Sequence, residues 1–509
     1  MKEIILGMDG MTLEDLAAIA REGAAVRLST ESELSITKSR RLVERWLREG
    51  RILYGVTTGF GALSNVVIPP RDAELLQKNV LMSHAAGVGD PLAEEIVRAM
   101  MALRAKDLAR GHSGIRLQTV ERLLDLLNLG ILPVVPEKGS VGASGDLAPL
   151  AHMSLVLIGL GEAFHRGKRM SGADALAQCG LQPLELEAAE GLALVNGTQM
   201  TAAVGGLAVH DAERLSSTAD LAAAMSLEVL LGSRTEFDPR IHQVRPHPGQ
   251  AFTADNLRRI TQGSEIISYH KDCGSIQDAY TLRCSPQVHG ATRDAIAYAR
   301  RVLETEMNSS TNNPLIFADS EELLLGGNFH GQPVGLALDF LCMAVAELAN
   351  ISERRIERLV NPQLSGLPAF LVKEGGLHSG FMIAQYTAAA LVSENKILSH
   401  PACVDSIPTS ANKEDHVPMS PISARKAREI VQNAEHVIAI ELLCGAQGLD
   451  LFTNLKPGEG TLAAYRVIRS AVPHLEKDRV LSRDIDAMVG LIREGILLHE
   501  VEQVIGELH

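Results

Sequence analysis

Apolar positions recur with helical spacing along most of the chain, while alternation of the strand type is sparse and sits mainly near the start, at Glu3 to Leu6 and Ala25 to Leu28. Glu33 to Arg48 follows a Ser/Thr/Glu start and carries Ile36, Leu42 and Trp46 among basic residues, which predicts an amphipathic helix. Leu92 to Ala109 and Gln118 to Asn128 repeat the pattern. From about residue 199 the periodic segments become long and Ala-rich: Gln199 to Leu231, Val334 to Arg358, Gly380 to Leu398 and Ala424 to Ala446. Small residues let helices approach closely, so a central bundle is the expected assembly. Gly, Pro, Asn and Ser punctuate Pro239 to Gln250, Asn308 to Pro314 and Ser399 to Pro421, which read as loops.

The expected fold is mainly α: an N-terminal α/β part over 1–200 and a long-helix bundle over 201–509. No repeat or low-complexity segment is evident. The N-terminal apolar run is too short for a secretory signal. Met153 to Leu160 and Leu221 to Leu231 read as the nearest approaches to a membrane span, and both are too short or interrupted. With 509 residues and a formal net charge of −14, the chain lacks the cationic surplus that phosphate backbones select, which argues against nucleic acid as a partner. The six cysteines, at 179, 273, 284, 342, 403 and 444, form no Cys-x-x-Cys pair and read as reduced thiols in a cytoplasmic protein. His242 and His247 straddle Pro246 out of helical register, and no His-Glu-x-x-His occurs, so no metal is expected.

The segment that changes this picture is Gly139-Ser-Val-Gly-Ala-Ser-Gly-Asp-Leu-Ala-Pro-Leu150. It has neither the Lys-Ser/Thr close of a P-loop nor the Gly-x-Gly-x-x-Gly spacing of a dinucleotide fingerprint. Its glycines free the backbone to fold back on itself. The Gly145 amide nitrogen can then attack the Ala143 carbonyl carbon. Loss of two waters, one from the ring and one from the Ser144 side chain, leaves a methylidene-imidazolone electrophile. With its Asp-Leu-Ala-Pro-Leu tail, the segment resembles the cofactor-forming motif of the aromatic amino acid ammonia-lyase family.

Further matches stand in the family's order, from Tyr54 through Leu449. Tyr54, in Arg51-Ile-Leu-Tyr-Gly-Val-Thr-Thr-Gly-Phe-Gly61, matches the family's catalytic tyrosine on a Gly-rich loop. A free phenol titrates near ~10, so a base of this kind needs a neighbouring cation or hydrogen-bond donor. Arg283 matches the residue that binds the substrate carboxylate, a task suited to its bidentate fork, and Tyr280 the tyrosine beside the electrophile. Their spacing puts both on one face if the stretch is helical. Asn196 matches an asparagine near cofactor and carboxylate, and Phe329 an aromatic packed against the electrophile. Ser83-His84 resembles the side-chain pocket of the histidine-acting branch, and Glu394 a glutamate facing substrate from a long helix. The segment Asp405 to Val417 also resembles that branch. Thr57, Ala279, Ser285, His289, Gln332, Lys413 and Pro418 depart from its usual residues, and Gly331-Gln332 is closer to tyrosine- and phenylalanine-acting relatives.

The resemblance implies a helical homotetramer with shared active sites, a small amino acid as substrate and no membrane partner. It implies a lyase that eliminates ammonia from L-histidine to give trans-urocanate. Tyrosine or phenylalanine deamination and 2,3-aminomutation are the alternatives within the family. A non-catalytic helical scaffold is the alternative outside it.

Overall fold

The computed structural model describes residues 3–270 and 276–509. It is predominantly helical, with short strands confined to small sheets. The chain divides into two compact units: the first comprises Met1–His210, Ala299–Asp339 and Pro401–Arg425, the second Asp211–Tyr298, Phe340–His400 and Lys426–His509.

The first unit opens with the strands Glu3–Leu6 and Ala25–Leu28, paired parallel with Glu3 opposite Ala25, joined by the helix Leu13–Arg21. A parallel pair needs such a crossover. Thr12 starts the helix through a capping box with Asp15. Ser29 caps Thr30–Arg48, whose buried face presents Ile36, Leu42, Val43 and Trp46. The helix Glu94–Ala109 is buried along nearly its whole length, including Arg104, Lys106 and Asp107. Lys106 meets its hydrogen-bonding need by donating to the carbonyls of Gly7 and Asp9, at 2.7 and 2.5 Å. Leu132–Pro133, Glu162–His165 and Lys168–Ser171 form an antiparallel sheet.

Long helices build the rest: Gln199–Val229, Ser285–Met307, Gln332–Val360, Met382–Leu398 and Ser420–Leu449. Glycine lets them close on one another. In the first unit a β-carbon on Gly205 would stand 2.7 Å from Leu338; in the second, one on Gly448 would stand 2.3 Å from Val229.

Two sequence expectations need correction. The stretch Pro239 to Gln250 is not a loop but the helix Pro239–Gln243 and the start of Pro248–Ile260. Each begins on a proline at the first helical position, where the missing N–H has no intrahelical partner to lose. Nor are Met153 to Leu160 and Leu221 to Leu231 the nearest approaches to a membrane span. Gln332–Val360 is long and apolar enough to cross one, but 61% of its most apolar window is buried inside the fold, as in a core helix.

Trp46, the chain's one tryptophan, is 1% exposed and packs with Leu42, Val43, Leu53 and Val56, the last two at the root of the Tyr54 loop. Trp46→Ala should lower the stability of the first unit by about 3–5 kcal/mol. A urea titration followed by circular dichroism checks this; an unchanged midpoint would show that the loop root carries no packing load.

Candidate active site

In the first unit, the segment 139–146 is a compact turn. Gly142 and Gly145 lie at φ +75° and +76°, the left-handed region. A β-carbon on Gly145 would stand 2.2 Å from the Gly197 carbonyl oxygen, and one on Gly142 2.3 Å from Ser420 Oγ. Backbone therefore packs directly on backbone, and the Asp146 N–H donates to that same Gly197 oxygen at 2.6 Å. Ala143 is buried with Val417 and Met419. Further bonds pin the turn: Gly331 N–H donates to the Gly142 carbonyl and Met419 N–H to that of Val141. The short 142–145 approach, the left-handed Gly145 and the absence of β-carbons where the chain doubles back suit a ring closed between Ala143 and Gly145.

Charged groups surround the turn. The Ser144 hydroxyl donates to Glu414 Oε1 at 2.7 Å, and Thr409 Oγ1 to the other carboxylate oxygen at 2.6 Å. Asp146 is fully buried and accepts from the Thr201 N–H and hydroxyl at 2.7 and 2.9 Å. Burial nevertheless pushes its carboxyl up to about 6. Glu306 accepts from Thr198 Oγ1 at 2.5 Å, and burial, with Asp107 and Asp146 adding to it, pushes its carboxyl up to about 7. Asn196 ends the helix Glu190–Val195 and is buried. Its carbonyl accepts from Arg104 Nη1 at 2.9 Å, while its side-chain oxygen has no partner among the described residues. A buried acceptor left open is costly and suits a group supplied by cofactor or substrate.

The Tyr54 loop belongs to the same unit. Leu53 N–H bonds the Thr57 hydroxyl and Gly55 N–H that of Thr58, so Thr57 serves as a local staple. The Gly61 N–H donates to the Tyr54 hydroxyl oxygen at 3.3 Å. Gly61 itself abuts Ser410. His84 ends the helix Ala73–His84, half-buried, with Nδ1 3.1 Å from Ser83 Oγ. Burial lowers its pKa, against an opposing pull from Glu414. Phe329 is half-buried in the turn before Gln332–Val360.

The second unit holds the remaining candidates. Tyr280 and Arg283 share the helical turn Tyr280–Arg283, and the guanidinium lies 4.3 Å from the centroid of the largely exposed Tyr280 ring. Arg283 Nε is buried without a partner among the described residues. Glu394 is exposed on Met382–Leu398. His242 bonds Gln250 at 2.9 Å, and no group of three His, Cys, Asp or Glu suited to a metal occurs among the described residues. The cysteines at 179, 284, 342, 403 and 444 are not in disulfides among the described residues; Cys273 lies outside them.

Sequence reading missed Glu414, Asp146 and Glu306 as members of this surround. Glu414 and Asp146 stand inside quoted motifs, but only the fold turns them toward Ser144 and Thr201. Glu306 had no local signal.

A profile of aromatic amino acid lyases matches residues 11–470. The chain is 57% identical to the histidine ammonia-lyase of Symbiobacterium thermophilum over 100% of both chains. Among solved structures, histidine ammonia-lyase from Trypanosoma cruzi superposes with TM-score 0.92 at 45% identity, covering 98% of this chain and 95% of the other. Tyrosine aminomutase from Streptomyces globisporus gives 0.95 at 38%, covering 100% of both.

Because the fold favours protonated Glu306, its stabilisation is full below the ordinary glutamate range and is lost as pH rises through 7. Glu306→Gln should remove a stability loss on the order of 3 kcal/mol between pH 4.5 and 8. Denaturation midpoints of both proteins across that range test this; parallel curves would contradict it.

Proposed function

The chain belongs to the aromatic amino acid lyase family, and we propose that it deaminates L-histidine with Tyr54 as base, Arg283 and Asn196 holding the carboxylate, and His84 and Glu394 reading the side chain. It is a carbon–nitrogen lyase, and its product is trans-urocanate. The methylidene-imidazolone formed from Ala143, Ser144 and Gly145 supplies the electrophile that makes the substrate's amino group able to leave.

The chain's own groups do the rest. Tyr54 takes the β-proton at its phenol oxygen, which the Gly61 N–H holds in place. Arg283 offers a fork to the carboxylate, its plane held by the Tyr280 ring. Tyr280 also orients the electrophile, and Phe329 packs against it. A desolvated, neutral His84, with Nδ1 beside the Ser83 hydroxyl, offers a ring nitrogen to the substrate's imidazole. The observation carrying the substrate assignment is the full-length 57% identity with a histidine ammonia-lyase.

The working form is a homotetramer in the cytoplasm, with active sites shared between subunits and the Tyr54 loop completing a neighbour's site. Support comes from Phe340 and Met343, exposed apolar neighbours on Gln332–Val360 that are open to a second copy.

Purified protein given L-histidine, L-tyrosine or L-phenylalanine should release ammonia from histidine, with the absorbance of urocanate. Turnover of tyrosine or phenylalanine alone, or a β-amino acid product, would overturn the substrate. Tyr54→Phe should lower kcat by about 10²–10⁴-fold with the tetramer intact. Ser144→Ala should remove most activity while leaving the tetramer unchanged by light scattering. Near-normal turnover in either variant would contradict the role given to that residue.

A further inference from the structure

The second unit contains a run of buried charge that the reaction does not use directly. Arg355 on Gln332–Val360 and Glu441 on Ser420–Leu449 are both fully buried and paired two to two: Nε to Oε1 at 2.5 Å and Nη2 to Oε2 at 3.0 Å. Ser226 and Ser352 each add a hydroxyl bond of 2.6 Å to the carboxylate. The remaining arm, Nη1, lies 3.3 Å from two acceptors, His289 Nε2 and the Thr281 carbonyl. His289 is buried, and its Nδ1 lies 2.7 Å from Asp220, which also takes Arg293 at 2.6 Å and Asn256 at 2.9 Å. Acceptance of Arg355 at Nε2 fixes the tautomer: the Nδ1–H donates to Asp220. One imidazole thus bridges two buried ion pairs.

Thr281 lies inside the turn Tyr280–Arg283. A buried ion pair adds little stability over a well-packed apolar pair, but it fixes direction strongly. Here the direction runs from Glu441 and His289 through Arg355 to the backbone between Tyr280 and Arg283.

We propose that Arg355, oriented by Glu441 and His289, is a positioning residue for the carboxylate anchor: its Nη1 holds the Thr281 carbonyl and thereby sets the direction in which Arg283 meets a carboxylate. The proposal rests on Arg283 being that anchor. Its signature is selective, because misdirection of the turn weakens ligands that carry a carboxylate and spares those that lack one.

The test compares inhibition by trans-urocanate, which has a carboxylate, with inhibition by histamine, which has none, alongside kcat and KM for L-histidine. His289→Met removes the bridge at similar length. It should raise KM and weaken trans-urocanate by about tenfold, the scale of one hydrogen bond to a charged group. The same variant should leave histamine inhibition unchanged and kcat within about twofold. His289→Gln, with both a donor and an acceptor, should restore the lost affinity. The double variant Arg355→Met with Glu441→Leu removes both charges together and should show the same selective loss if His289→Met folds poorly. Equal weakening of both ligands, or no weakening in either variant, would overturn the proposal. Arg283→Met separates the two claims: unaltered trans-urocanate affinity there would sink the anchor itself, whereas a loss there with normal relay variants would sink only the relay.

Discussion

A β-carbon on Gly145 would stand 2.2 Å from the carbonyl oxygen of Gly197, and the 142–146 turn depends on that approach. Neither residue can carry a side chain. Gly145 is left-handed and pressed against backbone, and a β-carbon on Gly197 would stand 2.4–2.7 Å from Gln199, Arg104 and Thr311. Behind Gly197, Arg104 donates to the Asn196 carbonyl and to Gln199, and pairs with Asp107 at 3.1 Å, all of them buried. This buried polar backing opposes opening of the 143–145 turn, since a shift would break the Arg104 bonds to Asn196 and Gln199.

Both units bury charge close to candidate site residues. Around the electrophile turn the acids outnumber the bases: Asp146 and Glu306 are pushed up by desolvation, so protons are held close to the turn. In the second unit two buried acids are matched with arginines, Asp220 with Arg293 and Glu441 with Arg355, while burial pushes Glu228 up. Proton-rich surroundings suit a segment that must lose water, and matched pairs suit a turn whose guanidinium must stay charged and well aimed.

Much of this was legible in the sequence. The strands Glu3–Leu6 and Ala25–Leu28 fall where alternation placed them, and the helix Gln199–Val229 ends within two residues of its expected limit. Periodicity reports such elements because one face of each is buried. Pro239 to Gln250 misled because proline marks a helix start as readily as a loop. The turn at 142–145 was legible because its glycines free the backbone and the Asp-Leu-Ala-Pro-Leu tail follows them. The surround was not: Ser144 to Glu414 spans 270 residues of sequence and His289 to Asp220 spans 69, and a single sequence carries no trace of such pairings. The Gly61 donor to Tyr54 was equally hidden, since any residue but proline supplies an N–H.

The most direct test of the central constraint is the mass of the peptide containing residues 143–145 from wild-type protein and from Gly197→Ala. The account predicts a two-water deficit in the wild type and its loss, wholly or in large part, in the variant, with the helical signal retained. A complete deficit in Gly197→Ala would show that the approach of the two backbones does not govern ring closure.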